Sequence, residues 1–163
     1  MKKVIIGVMG PAKATRQEIT WAYRLGLLIS EKNWVVLTGG RNLGVMEAAS
    51  QGAKENGGLT IGILQSSDPQ KISKFVDLPI ITEMGHARNM LNVLSSDVVI
   101  ACGKTSAGTL SEIALAVKSG KQVICLNQDP LTKKFLQKNL GSLVSFVKTP
   151  EQAIQKIQMT LKR

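Results

Sequence analysis

Short apolar runs alternate with helix-like stretches from one end of this chain to the other, and that alternation leaves few folds open. Residues 3–8, 34–38, 59–64, 76–81, 97–102, 122–126 and 143–147 read as strands rich in Val, Ile and Leu. Helical patterns lie at about 15–31, 45–55, 85–94, 109–118 and 131–139, and a last one opens at Pro150, where a proline is tolerated in the first turn. The first helix shows its start plainly: Thr15 with Glu18 three residues on is a capping-box pattern, and Ile19, Ala22, Tyr23 and Leu27 keep a helical period. Gly57-Gly58 and Gly120 stop the second and fourth helices, and 65–74 is a polar loop. Strands that read as continuous apolar runs are covered on both faces. Joined by helices, they predict a parallel sheet with right-handed crossovers. The expected fold is therefore α/β, a three-layer, doubly wound, Rossmann-like parallel sheet, with residues 1–163 forming one nucleotide- or cofactor-binding domain. In such a sheet the ligand site lies outside the carboxyl ends of the strands, where the strand order reverses.

Three loops follow strands and precede helices: 9–14, 39–44 and 103–108. In a parallel sheet all three emerge on one edge, each offering unpaired backbone N–H groups at a positive helix terminus, which suits a phosphate. Lys and Arg number 21 against 11 Asp and Glu, a net charge of +10, so the chain attracts anions. The basic residues are dispersed and only six residues are aromatic, so nucleic acid is not expected as a partner. The first loop, Gly7-Val8-Met9-Gly10-Pro11-Ala12, is not a dinucleotide fingerprint, and Thr38-Gly39-Gly40 stands where a nicotinamide-dependent enzyme keeps an acidic residue. No Walker loop is present, since Gly103-Lys104-Thr105 lacks the preceding glycine.

The amino-terminal apolar run is too short for a signal-peptide core, and no stretch approaches the ~18 apolar residues of a membrane span. Cys102 and Cys125 each sit in an apolar run and read as buried free thiols. A cytoplasmic location without membrane attachment is expected. One histidine and two core cysteines cannot build a zinc site, so no protein metal site is expected.

The stretch Thr38-Gly39-Gly40-Arg41-Asn42-Leu43-Gly44-Val45-Met46-Glu47-Ala48 resembles the Gly-Gly…Gly-x-Met-x-Ala segment of one Rossmann superfamily. That superfamily includes the Lonely Guy phosphoribohydrolases, long mislabelled lysine decarboxylases, and the molybdenum cofactor carrier proteins. Gly108-Thr109-Leu110-Ser111-Glu112 resembles its Gly-Thr-x-x-Glu motif, and 84–92 lies where it carries an arginine-bearing helix. Lonely Guy enzymes have Pro-Gly-Gly-x-Gly-Thr-x-x-Glu; here Lys104-Thr105-Ser106-Ala107 precedes Gly108, and Asn89 replaces the lysine of their Arg-Lys pair. The segments 44–49, 87–92 and 110–116 are closer to the carrier branch.

The resemblance implies a carrier whose ligand is molybdenum cofactor, a pterin with a terminal phosphate and a dithiolene-bound metal. It further implies a homo-oligomer, dimer or tetramer, and molybdoenzymes as possible recipients. The residues expected to form the site are Gly10, Gly39, Gly40, Arg41, Gly44, Arg88, Lys104, Thr105, Ser106, Gly108, Thr109 and Glu112. Ser106, Gly108 and Thr109 would hold the phosphate with the amides of Gly39, Gly40 and Arg41, while Arg88 and Lys104 neutralise charge. The alternative is a phosphoribohydrolase that takes a nucleoside 5′-monophosphate as substrate, with Glu112 and Arg88 as its catalytic pair. Plain structural roles are open to the same residues: Glu112 as a complement to its helix dipole, Arg88 in an ion pair with Glu112 or Asp97, Arg41 and Lys104 as solvated loop charges, His86 at a helix start.

Overall fold

A computed structural model describes residues 2–162. Seven strands form one parallel sheet: β1 (Ile5–Met9), β2 (Val35–Thr38), β3 (Thr60–Leu64), β4 (Leu78–Ile81), β5 (Val98–Cys102), β6 (Val123–Leu126) and β7 (Val144–Val147). The order across the sheet is β4-β3-β2-β1-β5-β6-β7. The chain therefore winds outward from β1 to β4, then returns to β1's other side with β5, and the order reverses between β1 and β5. Their register pairs Gly7 with Val99 and Met9 with Ala101, so both strands end together and their following loops stand side by side.

Alternation of side chains along each strand splits the core into two. Ile6, Val8, Val36, Ile100 and Cys102 point to the layer that holds α1 (Arg16–Glu31), α2 (Gly44–Glu55) and α6 (Pro150–Leu161). Met9, Leu37, Val99, Ala101 and Cys125 point to the layer of α3 (Asn89–Leu94), α4 (Ala107–Lys118) and α5 (Pro130–Leu140). Both cysteines are buried and free. Four of the α-helices start where a side-chain cap satisfies orphan amides. Thr15 and Glu18 form both bonds of the capping box on α1, Ser106 caps α4, Asp129 caps α5 and Thr149 caps α6, the last two followed by proline.

One expectation fails at the edge. The strand read at 76–81 is not covered on both faces: β4 is exposed along its length, with Leu78, Ile80 and Ile81 each close to half exposed. Pro79 supplies no N–H to an outer neighbour, which suits an edge position. The helix expected at 85–94 begins as a 3-10 turn over Gly85–Arg88 before α3. The loop at 65–74 carries a short 3-10 turn and bridges back to Arg41 through Ile72. No described helix is long and apolar enough to cross a membrane.

Candidate functional site

The loops after β1, β2 and β5 meet on one rim of the sheet and line an open cleft of about 150 Å³. Val8, Met9 and Gly10 of the β1 end line it, with Gly39 and Arg41 from the β2 loop and Ser106, Gly108, Thr109 and Glu112 from the start of α4. Arg88 and Asn89 reach in from the turn that opens α3. The cleft therefore stands at the reversal of strand order.

Glycine makes the floor possible. A Cβ on Gly10 would meet the Cys102 carbonyl and Val45 at 2.7 Å, and one on Gly39 would meet Arg88 Nη2 at 2.5 Å. Both distances are far below ordinary contact, so the backbone approaches its neighbours closely only because no side chain intervenes.

At one end, Ser106 Oγ accepts the Thr109 N–H at 3.3 Å and lies 3.1 Å from the Thr109 hydroxyl. The amides of Ala107 and Gly108, earlier in the same turn, have no acceptor within the helix. Together they present a donor-rich helix terminus. At the other end, Arg88 is only 5% exposed. Its Nη1 donates to Asn89 Oδ1 at 3.3 Å and stands 3.8 Å from Glu112 Oε1, while its Nε is buried without a partner among the described residues. Burial pushes the Arg88 pKa down, Glu112 opposes that, and the nearby charge of Arg41 adds to it. Burial raises the pKa of Glu112, against the Asn92 side chain that donates to Oε1 at 2.8 Å and the charge of Arg88.

Eight of the twelve residues expected at the site line the cleft: Gly10, Gly39, Arg41, Arg88, Ser106, Gly108, Thr109 and Glu112. Gly40, Gly44, Lys104 and Thr105 do not. The Gly40 amide donates to Thr38 Oγ1 instead. Gly44, at φ 52, packs against the carbonyls of Pro11 and Ala12. Lys104 gives its backbone N–H to Glu18 at 2.6 Å and its side chain is exposed. Thr105 donates to Gln128 at 2.7 Å. The sequence reading did not include Met9, Met46, Gln65, His86 and Asn89, which also line the cleft. Three of these had a signal: His86 and Asn89 stand either side of Arg88 on one tight turn, and Gln65 directly follows β3 on the same rim.

Residues 3–154 match the SLOG cluster4 family. The structure of the molybdenum cofactor binding protein from the phototrophic bacterium Rippkaea orientalis is 52% identical, with a TM-score of 0.95 over 99% of both chains. The molybdenum cofactor carrier protein of Chlamydomonas reinhardtii is 42% identical, with a TM-score of 0.92 over 99% of this chain and 100% of that one. An uncharacterized protein of Archaeoglobus fulgidus is 46% identical over 129 residues, 77% of this chain and 82% of that protein.

Proposed function

This chain belongs to the SLOG cluster4 family, and from the chemistry of its cleft we infer that it binds and carries molybdenum cofactor. The observation that carries the reading is a rim of unfilled donors and cations at the reversal of strand order, in a chain superimposable on the cofactor-binding relatives. The bound cofactor brings a pterin, a terminal phosphate and a dithiolene-held metal. The phosphate is held by Ser106, Thr109 and the free amides that open α4, with the Gly39 backbone opposite. Arg41 and Arg88 offset the remaining negative charge. Gly10 keeps the floor open, and Glu112 holds Arg88 in position.

The holding is non-covalent. Burial pushes the Cys102 thiol up to about 12, with the Glu18 charge adding to it, and burial alone pushes Cys125 up to about 12. Both thiols stay protonated and neither lines the cleft, so no thiolate competes for the cargo. Release to a recipient then needs no bond to break. We further propose one domain over 1–163, a cytoplasmic setting, a dimer or tetramer supported by the exposed apolar residues of β4, and molybdoenzymes as recipients.

The phosphoribohydrolase reading draws on one specific arrangement, the carboxyl of Glu112 beside the guanidinium of Arg88 within the cleft. Incubation with adenosine monophosphate separates the two. A carrier releases no free adenine and shields isolated cofactor from oxidation. Adenine release that disappears in Glu112→Ala would overturn the carrier reading.

A further inference from the structure

One side of the molecule is set apart by its charge. Between Lys74 and Lys104 the chain has no lysine, although it carries 21 Lys and Arg in all. That stretch holds β4, the 3-10 turn before α3, and α3 itself. It also holds six exposed large apolar side chains: Leu78, Ile80, Ile81, Met84, Met90 and Leu94. Register aligns Leu78 with Ile61 and Ile80 with Ile63, so both point to the face of the sheet on which α3 packs, yet no helix covers them. On α3, Met90 and Leu94 are four residues apart and share its outer side, while Val93 turns into the core. The lysines that reach this stretch from elsewhere are engaged there. Lys2 pairs with Asp97, Lys54 pairs with Asp77, and Lys121 donates to the carbonyls of Leu94 and Ser96.

Charge selects the occupant of this face. Two copies at +10 each repel where their lysines meet, and residues 75–103 are the longest run without one. The single arginine in that run, Arg88, is buried. An acidic protein finds no free lysine in the run to pair with, whereas an equal apolar face of a second copy buries both without opposing charge. Pro79 denies the edge a complete ladder of N–H groups, so the contact is side chain on side chain and closes as a pair instead of growing as a continuous sheet.

The same face runs directly into the cleft. β4 ends at Ile81, and the turn that follows brings His86, Arg88 and Asn89 to the cleft wall. Residues 83–87 of that turn are exposed. Glu83 has φ 54, a left-handed backbone that is costly for a residue with a side chain. Its Oε1 accepts from the Ser67 N–H at 2.8 Å, the Gly85 N–H donates to the Gln65 carbonyl at 3.2 Å, and the Gln65 side chain meets His86 Nδ1 at 3.3 Å. All three ties come from the loop after β3, so they hold the turn from one side. We propose that a second copy packs on the face of β4 and α3 and steadies this turn from its open side, which couples anion binding in the cleft to the pairing of two copies. A turn fixed before the anion arrives spares the cost of ordering it. The inference rests on the carrier reading and deepens it with a control: a paired chain holds its cargo more tightly than a single one.

Sedimentation and inorganic phosphate test this together, at matched ionic strength. The unmodified full chain is expected to pair at about 100 μM, and Ile80→Lys on β4 and Leu94→Lys on α3 each to leave it single and folded. The single variants should bind phosphate about tenfold more weakly. The added lysine attracts phosphate at long range, so a loss of affinity cannot come from its charge. Diluting the unmodified protein until it separates should give the same loss without any substitution, and saturating phosphate should tighten the pair by the same factor. An unmodified chain that stays single at about 100 μM, variants that still pair, or single chains that bind phosphate within about twofold of the pair overturn the inference. Isolated cofactor distinguishes its failure from that of the carrier reading. If Ile80→Lys is single and retains cofactor as well as the unmodified protein does, the coupling fails and the carrier stands. If phosphate and pairing are coupled but the unmodified protein retains no cofactor, the carrier fails and the coupling stands.

Discussion

The loops after β2 and β5 flank the same cleft but are held by different means. The β2 loop is fixed mainly by backbone, with Thr38 and Asn42 of its own segment as the side chains that help. Asn42 N–H donates to the Lys71 carbonyl, Ser73 N–H donates to the Gly40 carbonyl, and the following helix starts against Pro11 and Ala12. The β5 loop is fixed by side chains reaching in from elsewhere. Glu18 Oε1 accepts from the Lys104 amide at 2.6 Å, its Oε2 accepts from Thr15, and Gln128 donates to the Gly103 carbonyl at 2.6 Å. The first loop depends on the shape of its own main chain and presents a guanidinium. The second depends on one buried carboxylate and presents a helix terminus. The difference teaches that similar glycine-bearing turns can be fragile in different ways, through geometry in one and through protonation in the other.

The largest expected effect breaks the geometric side. Gly44 has φ 52, and a Cβ there would collide with the carbonyl oxygens of Pro11 and Ala12. Gly44→Ala combines a left-handed backbone penalty with overpacking against rigid main chain, about 3 kcal/mol in urea unfolding. A loss below about 1 kcal/mol would show that the β2 loop is not held by its main-chain shape. The next effect addresses the carboxylate. Glu18→Gln loses the charge that the Thr15 and Lys104 donors surround, costing about 2 kcal/mol at neutral pH. Burial alone would raise the pKa of Glu18, but the hydrogen bonds from Lys104 and Thr15, with the Lys104 charge, hold it below its ordinary 4.5. A depressed carboxyl contributes its stability fully above 4.5, and that contribution is lost as pH falls through the lower folded value. The gap between the unmodified protein and Glu18→Gln should therefore close on acidification below 4.5. A gap that stays constant down to the acid transition would remove protonation as the weakness of the β5 loop.

A smaller effect joins the two sides. Gly39→Ala places a methyl 2.5 Å from Arg88 Nη2 and 2.8 Å from Met46 Sδ, both flexible side-chain ends. The fold should survive, while the displaced guanidinium weakens anion binding by about tenfold. Unchanged affinity would show that Arg88 does not work through its contact with the β2 loop.

Much of this frame was legible in the sequence, because periodicity and caps are local. The strand runs, the Thr15–Glu18 box and the glycine turns each declare themselves within a few residues, and the alternation of strands with helices dictates a parallel sheet. The rim itself followed from that parallel order. What stayed hidden depended on distant pairing or on the dihedral angles of a turn. Nothing near Glu18 in the chain signals that its carboxylate reaches the amide of Lys104, eighty-six residues away. Nothing near Gly40 shows that Thr38 takes its amide, because that requires the turn's dihedral angles. The exposed face of β4 was misread because an apolar run looks the same at a sheet's edge as at its centre.

Lys104 sharpens the comparison most finely, because its side chain and its backbone do different work. By charge and position it reads as a ligand-neutralising residue, yet its ammonium is exposed and outside the cleft, while its N–H completes the bond to Glu18. Lys104→Ala keeps that N–H and removes an exposed charge whose pull on Glu18 is the smallest of those that hold its pKa down. Stability should move by less than about 0.5 kcal/mol, and equilibrium affinity for phosphate by less than about twofold. What the charge does supply is long-range attraction, so the variant should associate more slowly with anions at low salt and match the unmodified protein once salt screens the field. Stopped-flow association at two ionic strengths reads this directly. A large loss of affinity that survives high salt would place the Lys104 side chain on the ligand after all and would make the β5 loop a cationic seat like its counterpart.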